Sequence, residues 1–300
     1  MQVLDADELA PLGGASVVTV GRFDGVHLGH QAVLSGLCES AEELSARPAV
    51  VVVDPELAGP AHAASRLSPL DLKLELLAHH GVDTAVVVAA SRAGHIPAIL
   101  VDTLGTALLV AGESGLPTSA ASAELPGSVP VRRVPVVRHS ADGAVRPVTS
   151  ELIVGLLGRG GVEAAAALLG RPHEVRGVVS HGDARGRTLG FPTANIPVPI
   201  EVVLPADGVY AGHYLRPDGT SHVTAISLGR RPTFYEERGA RLLEAHLLDF
   251  EDDLYGEIGV IRFERLLRGQ RRFESIEALV DQLGHDVDAT RRAIDPPPGA

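Results

Sequence analysis

The sequence predicts two folds in series: an α/β unit with a doubly wound parallel sheet over residues 1–170, and an all-β unit, a small antiparallel β-barrel with a closing helix, over residues 171–293. Two patterns carry this reading. Up to about Val110, short β-branched runs alternate with helical stretches, as expected for parallel strands covered on both faces. Beyond Gly170-Arg171-Pro172, closely spaced strands follow one another, as expected for a small barrel.

In the first unit, Ser16–Gly21, Ala49–Val53, Thr84–Val88 and Ala107–Val110 read as buried strands. Leu28–Leu44, Pro69–His80 and Ile96–Leu104 read as helices, with Leu70, Leu74, Leu77 and Ala78 at helical spacing on the second. A Gly/Ser/Pro-rich patch, Gly112–Pro130, interrupts the alternation, and Pro130–Val137 reads as a last strand. Thr149–Leu157 and Val162–Leu169 follow as short helices, the second stopped by Gly170. In the second unit the strands are Glu174–Ser180, Gly208–Leu215, His222–Ser227, Arg241–Leu248 and Ile258–Arg265. Ser275 is placed to cap a helix whose Ile276, Leu279, Val280, Leu283 and Val287 share one face. Residues 294–300, with Pro296-Pro297-Pro298, read as a disordered tail.

Of 300 residues 45% are apolar, ample for two cores. The formal charge of -12 argues against a nucleic-acid partner. The acidic N-terminus lacks a signal-peptide pattern and no apolar run approaches the roughly 18 residues of a membrane span, so the expectation is a cytoplasmic chain with no membrane partner. No oligomeric state is implied. The single cysteine, Cys38, shares a helix face with Val33, Leu34, Leu37 and Ala41 and reads as a buried, inert thiol. Lys73 is the only lysine, so a phosphate clamp must draw on arginine, histidine, backbone amides or metal.

The most informative run is Gly182-Asp-Ala-Arg-Gly-Arg-Thr-Leu-Gly-Phe-Pro-Thr-Ala-Asn195. Its glycines allow backbone amides to approach an anion. An extended Thr193-x-Asn195 puts a hydroxyl and an amide oxygen on one side of a strand, a donor pair suited to magnesium that keeps most of its waters and takes phosphate oxygens. The spacing is not that of a Walker loop, and Phe191-Pro192 forbids the helix such a loop needs downstream. Glu244 lies inside Leu242–Leu248, on one face with Leu242 and His246. Pattern alone leaves it either a functional carboxylate or an exposed residue on the outside of a barrel. His246 by itself reads as a packing or surface histidine. In the first unit, Gly21-Arg-Phe-Asp-Gly-Val-His-Leu-Gly-His30 follows a strand and opens a helix. His27 and His30 face the same way at a helix N-terminus, where anions are attracted.

The fourteen-residue run, together with Leu204–Ala211, Ser227–Phe234, Leu243–Phe250 with Leu254-Tyr255-Gly256, and Phe273–Leu279, resembles the bacterial bifunctional riboflavin kinase/FMN adenylyltransferase family, the prokaryotic FAD synthetases. The H-x-G-H signature of Asp24, His27, Gly29 and His30 is similar to the nucleotidyltransferase half of that family, which implies a Rossmann-like nucleotidyltransferase domain ahead of the kinase barrel. The resemblance implies ATP-dependent phosphorylation of riboflavin, or a close flavin analogue, to FMN. Thr193 and Asn195 would hold Mg2+ against the phosphates, Gly182, Arg187 and Thr188 would lie along the loop covering the nucleotide, and Glu244 would be the general base.

The first unit departs from the family pattern. Arg22 stands in place of Asn, Asp54-Pro55-Glu56-Leu57 where a Pro-His-Pro segment is expected, and Gly112–Thr118 lacks the aromatic and arginine of the flavin-binding element. In Thr149–Val154, Glu151 and Val154 replace a hydroxyl and an arginine of the phosphate-binding turn. A carboxylate in place of a hydroxyl and a lost arginine oppose a triphosphate, so the expectation is that FMN adenylyltransferase activity is impaired. The alternatives are a fully bifunctional FAD synthetase and a specialised paralogue acting on another nucleotide or flavin.

Overall fold

The structure, a computed structural model, describes residues 1–6, 9–55, 66–113, 129–141, 144–182, 185–230 and 241–294. Four of the segments singled out above lie wholly or mostly outside the described residues: Glu56-Leu57, residues 114–118, Arg231–Phe234 and the 295–300 tail. By packing the chain divides at Ser150/Glu151, twenty residues earlier than the Gly170–Pro172 boundary suggested by composition.

The N-terminal unit holds strands β1 (Gln2–Asp5), β2 (Ser16–Gly21), β3 (Arg47–Asp54), β4 (Thr84–Ala89), β5 (Thr106–Gly112) and β6 (Val131–Val134) in the order β1-β4-β3-β2-β5-β6. Every pairing is parallel. Helices α1 (Leu28–Glu43) and α2 (Leu70–His79) supply crossovers. Alternate residues of each strand feed opposite cores. Val18, Val20, Val51 and Val53 pack with Ile96, Ile99 and Leu100, whereas Val17, Val50 and Val52 pack with Leu34, Leu37 and Leu77. The expected doubly wound architecture follows directly. β3 and β4 lie on one side of β2 and β5 on the other, so the order reverses at the carboxyl end of β2, where such sheets bind ligands.

Three local readings need adjustment. The helix expected at Ile96–Leu104 begins at Ala90 and runs through 3-10, α and π turns to Thr103, with Pro97 removing one donor near its centre. β6 stops at Val134 because Pro135 follows. Cys38 is half-buried rather than buried, its Sγ 3.4 Å from His80 O. Burial, and then Glu42 and Glu39, push its thiol above the usual value, so the inert reading stands. A hairpin of β7 (Arg138–Ala141) and β8 (Ala144–Pro147) was not anticipated.

Helices α3 (Ser150–Leu157) and α4 (Val162–Leu169) open the C-terminal unit. They belong with the barrel because Ala206 N donates to Leu157 O at 2.9 Å and Arg265 pairs with Glu163 at 3.1 Å. Six antiparallel strands follow in the order β10-β13-β12-β11-β14-β9: β9 (His173–Val178), β10 (Ala194–Asn195), β11 (Gly208–Leu215), β12 (Ser221–Arg230), β13 (Arg241–Leu247) and β14 (Ile258–Gly269). Ser180, just past β9, bridges to Asn195 of β10, so the two edges meet and the sheet curls on itself. Tyr210, Tyr214 and Phe263 fill its interior. Helix α5 (Ile276–Ile294) closes the unit, and Ser275 Oγ accepts from Ala278 N at 3.2 Å as its cap.

Candidate functional site

In the C-terminal unit one row of residues crosses the sheet. Asn195 is opposite Glu244, Glu244 opposite Ser227, Ser227 opposite Val209, and Val209 opposite Arg268. All five line a cavity of about 510 Å3 covered by Leu279 and Leu283 of α5. Strands lie about 4.8 Å apart, so the row runs about 19 Å along the curled sheet, with Glu244 one strand from Asn195 and three strands from Arg268.

The alternation expected in β13 holds. Leu243, Ala245 and Leu247 are buried in the barrel, while Leu242, Glu244 and His246 face the cavity. Glu244 therefore lies on the face opposite the barrel interior, where the cavity under α5 encloses it instead of open solvent. Thr193 lines the same cavity, one residue before β10.

Asn195 is 8% exposed, and its Oδ1 is buried with no hydrogen-bond partner among the described residues. Leaving such an acceptor unmet costs about 1–3 kcal/mol, so an oxygen aimed at a cation or its water is the physical reading. Thr193 and Asn195 thus fit the expected magnesium pair in donor type and placement. Among the described residues no group of three or more His, Cys, Asp or Glu side chains assembles as a metal centre. Gly182 closes on the same amide: a Cβ there would lie 2.2 Å from Asn195 Nδ2. Arg187 and Thr188 belong to a helical turn, Arg185–Thr188, and Gly186 and Leu189 line the cavity beside them.

At the far end, Arg268 holds Asp286 of α5 through two bonds of 2.9 and 2.6 Å, and Gln282 Nε2 donates to the same carboxylate at 2.7 Å. This clamp fixes α5 over the cavity. Phe273 lies beneath the guanidinium groups of Arg268 and Arg271.

The N-terminal unit builds its motif at the switch point after β2. His27 caps α1, its Nδ1 accepting from His30 N at 3.4 Å, which leaves Nε2 to carry the ring proton. The two imidazoles stack with centroids 3.7 Å apart. Gly29 permits this, since a Cβ there would meet His27 Nδ1 at 3.1 Å and Val148 O at 3.2 Å. Burial first, then His27 and Lys73, hold His30 well below the usual imidazole range. Among the described residues its buried Nδ1 has no hydrogen-bond partner.

Asp24 is a bracket. Its Oδ1 accepts from Leu67 N at 2.9 Å and Ser68 N at 3.2 Å, Ser68 Oγ accepts from Gly25 N, and Ser150 Oγ donates to Asp24 O. The bracket holds Phe23 and Val26 at φ of 48° and 40°, values that are costly for bulky side chains and persist where neighbours over-determine them. Lys73 is buried with Nζ 3.0 Å from Asp54 Oδ2. The sequence reading missed that pair and the roles of Ser68, Ser227, Arg268 and His246, all of which join elements far apart in the chain.

A curled antiparallel barrel whose cavity aligns a carboxylate with a hydroxyl-amide donor pair, preceded by a doubly wound unit with an H-x-G-H helix start, fits the transferase class. The comparisons with known proteins narrow the class. Residues 169–294 match the riboflavin kinase family and residues 11–114 the FAD synthetase family. A bifunctional riboflavin kinase/FMN adenylyltransferase of Listeria monocytogenes is 34% identical, covering 92% of this chain and 91% of its own. One from Pseudomonas fluorescens is 35% identical over 96% of each chain. A crystal structure described as a macrolide-efflux protein from Streptococcus pneumoniae matches at a TM-score of 0.81 with 26% identity, covering 97% of this chain and 99% of that one. The chain belongs to the bifunctional riboflavin kinase/FMN adenylyltransferase family. Among the described residues no helix is long and apolar enough to cross a membrane.

Proposed function

We propose that the C-terminal unit transfers the γ-phosphoryl group of ATP to the terminal hydroxyl of riboflavin. The observation that carries this is the single row Asn195-Glu244-Ser227-Val209-Arg268. It sets a carboxylate one strand from the cation donors and leaves three further strands of cavity wall beyond it under the apolar side chains of α5, room for a planar ring system bearing an extended polyol. Thr193 and Asn195 would hold Mg2+, which would supply neutralisation of the charge that develops on the phosphates. Thr193 Oγ1 and Asn195 Oδ1 hold that cation's side of the site, and the loop bearing Gly182, Arg187 and Thr188 covers the nucleotide. Glu244 accepts the hydroxyl proton as the oxygen attacks phosphorus. Replacing Glu244 with Ala is expected to cut turnover by about two to four decades while flavin binding, read by fluorescence quenching, persists. Turnover like that of the parent would remove Glu244 from the mechanism.

For the N-terminal unit the expectation of impaired adenylyl transfer gains no support from the relatives, which are described as bifunctional and align over more than nine-tenths of the chain. The stacked His27 and His30 at the switch point favour the bifunctional reading, in which their N–H groups stabilise the α-phosphate and the departing pyrophosphate. The departures at Arg22, Glu151 and Val154 are the argument for a kinase with a weak or redirected N-terminal unit. Supplying ATP, magnesium and FMN and measuring FAD and pyrophosphate separates the readings. FAD formation abolished by the His27→Ala/His30→Ala double change makes the chain bifunctional. Background pyrophosphate release alongside intact riboflavin phosphorylation makes it a kinase alone.

A further inference from the structure

His246, which no motif singles out, stands two residues beyond Glu244 on the same face of β13 and lines the same cavity. Its Nδ1 lies 2.7 Å from Pro192 O. A carbonyl only accepts, so Nδ1 carries the proton and donates. Its ring meets Phe191 edge-on at 5.6 Å. The position of this contact matters. The ladder that anchors the metal-donor segment covers two residues, Ala194 and Asn195, and Thr193 precedes it. Pro192 has no N–H with which to extend the pairing. The Pro192 carbonyl belongs to the rigid peptide plane that carries Thr193 N, so a bond to that oxygen restricts the rotation that aims Thr193 Oγ1.

We propose that His246 is a positioning residue: by donating from Nδ1 to Pro192 O it locks the Pro192–Thr193 peptide, so that Thr193 Oγ1 and Asn195 Oδ1 form one magnesium-nucleotide site level with Glu244. The inference rests on the kinase reading of this cavity. It ties the loop that receives ATP to the strand that carries the base through one side chain, and it gives Phe191 the task of holding the imidazole edge.

The test uses two amides of opposite reach on the full-length chain. Asn places an N–H near the position of Nδ1, whereas Gln places it near Nε2. His246→Gln is expected to weaken Mg-ADP binding, measured by calorimetry, and to raise KM for Mg-ATP, each by roughly three- to tenfold, the scale of one neutral hydrogen bond. KM for riboflavin should stay within about twofold, and His246→Asn should restore most of the loss. Equal behaviour of the Asn and Gln variants would overturn the proposal, as would a rise confined to the riboflavin KM, which would make His246 an acceptor contact. A loss that follows thermal stability in both variants would also overturn it, by making the residue merely structural. Calorimetry reads the effect without turnover, so a chain that binds Mg-ADP through His246 yet never phosphorylates riboflavin would sink the kinase reading and leave this inference standing.

Discussion

Replacing Gly182 with Ala should damage the kinase through a residue thirteen positions away. The new Cβ would sit 2.2 Å from Asn195 Nδ2, 2.6 Å from Cγ and 2.7 Å from Oδ1, roughly 1 Å inside van der Waals contact. Asn195 is 8% exposed and its backbone is held in β10, so the amide must swing away from the position that the proposed metal site requires of its Oδ1. A misplacement of about 1 Å in a positioned group costs on the order of 10²-fold in rate. The expected result is a fall of about two decades in kcat/KM for Mg-ATP, about 2.7 kcal/mol of transition-state stabilisation. A double-mutant cycle isolates the route. With Asn195→Ala already in place the obstacle is gone, so adding Gly182→Ala should cost less than about threefold more, a strongly non-additive pair. Independent losses that multiply to about four decades would show that the methyl acts elsewhere and would refute the reasoning.

Further outcomes are expected. Thr193→Ala should raise the magnesium requirement of the kinase and be partly rescued by excess magnesium, and an unchanged metal titration would take Thr193 out of the site. His173 lies in the barrel with Nε2 donating to Val203 O at 2.8 Å, and burial depresses it to about 4 from 6.5. The unfolded chain therefore takes up this proton first. The contribution to stability is full above about pH 6.5 and is lost as pH falls towards 4, amounting to about 2 kcal/mol between pH 7 and pH 5. Urea denaturation of the parent and of His173→Gln at the two pH values should differ by that amount; parallel losses would assign the acid sensitivity to other groups.

Much of this was legible in the chain because the signals are local. A β-branched run gave the parallel strand Ser16–Gly21 to the residue, the antiparallel strand Gly208–Leu215 was equally legible, and alternation in Leu242–Leu248 put Glu244 and His246 on one face. What escaped is non-local. Two-residue β10 is too short to show a period, and its pairing opposite Glu244 depends on a partner some fifty residues away. The helices α3 and α4 carry no mark in their own sequence of packing on the barrel. Asp24 read as part of a catalytic signature, yet its oxygen serves backbone amides at Leu67 and Ser68, a use visible only once α2 is folded against the motif. His246 was discounted because a single histidine has no pattern. The available clue was joint: Glu-x-His and Thr-x-Asn both alternate, and two such strands laid side by side bring all four residues to one surface.

The bridge that shuts the barrel has a further consequence. Ser180 N donates to Asn195 O at 2.9 Å, so the residue whose side chain is proposed to hold the cation also offers its carbonyl to the seam. Opening the seam and emptying the site are then linked equilibria, and any occupant that needs Asn195 in place resists unzipping of the first strand from the second. The exchange of one amide hydrogen, that of Ser180, becomes a gauge of nucleotide occupancy. It should slow as Mg-ADP is titrated, while amides paired within β11 and β12, away from the seam, keep their own pace.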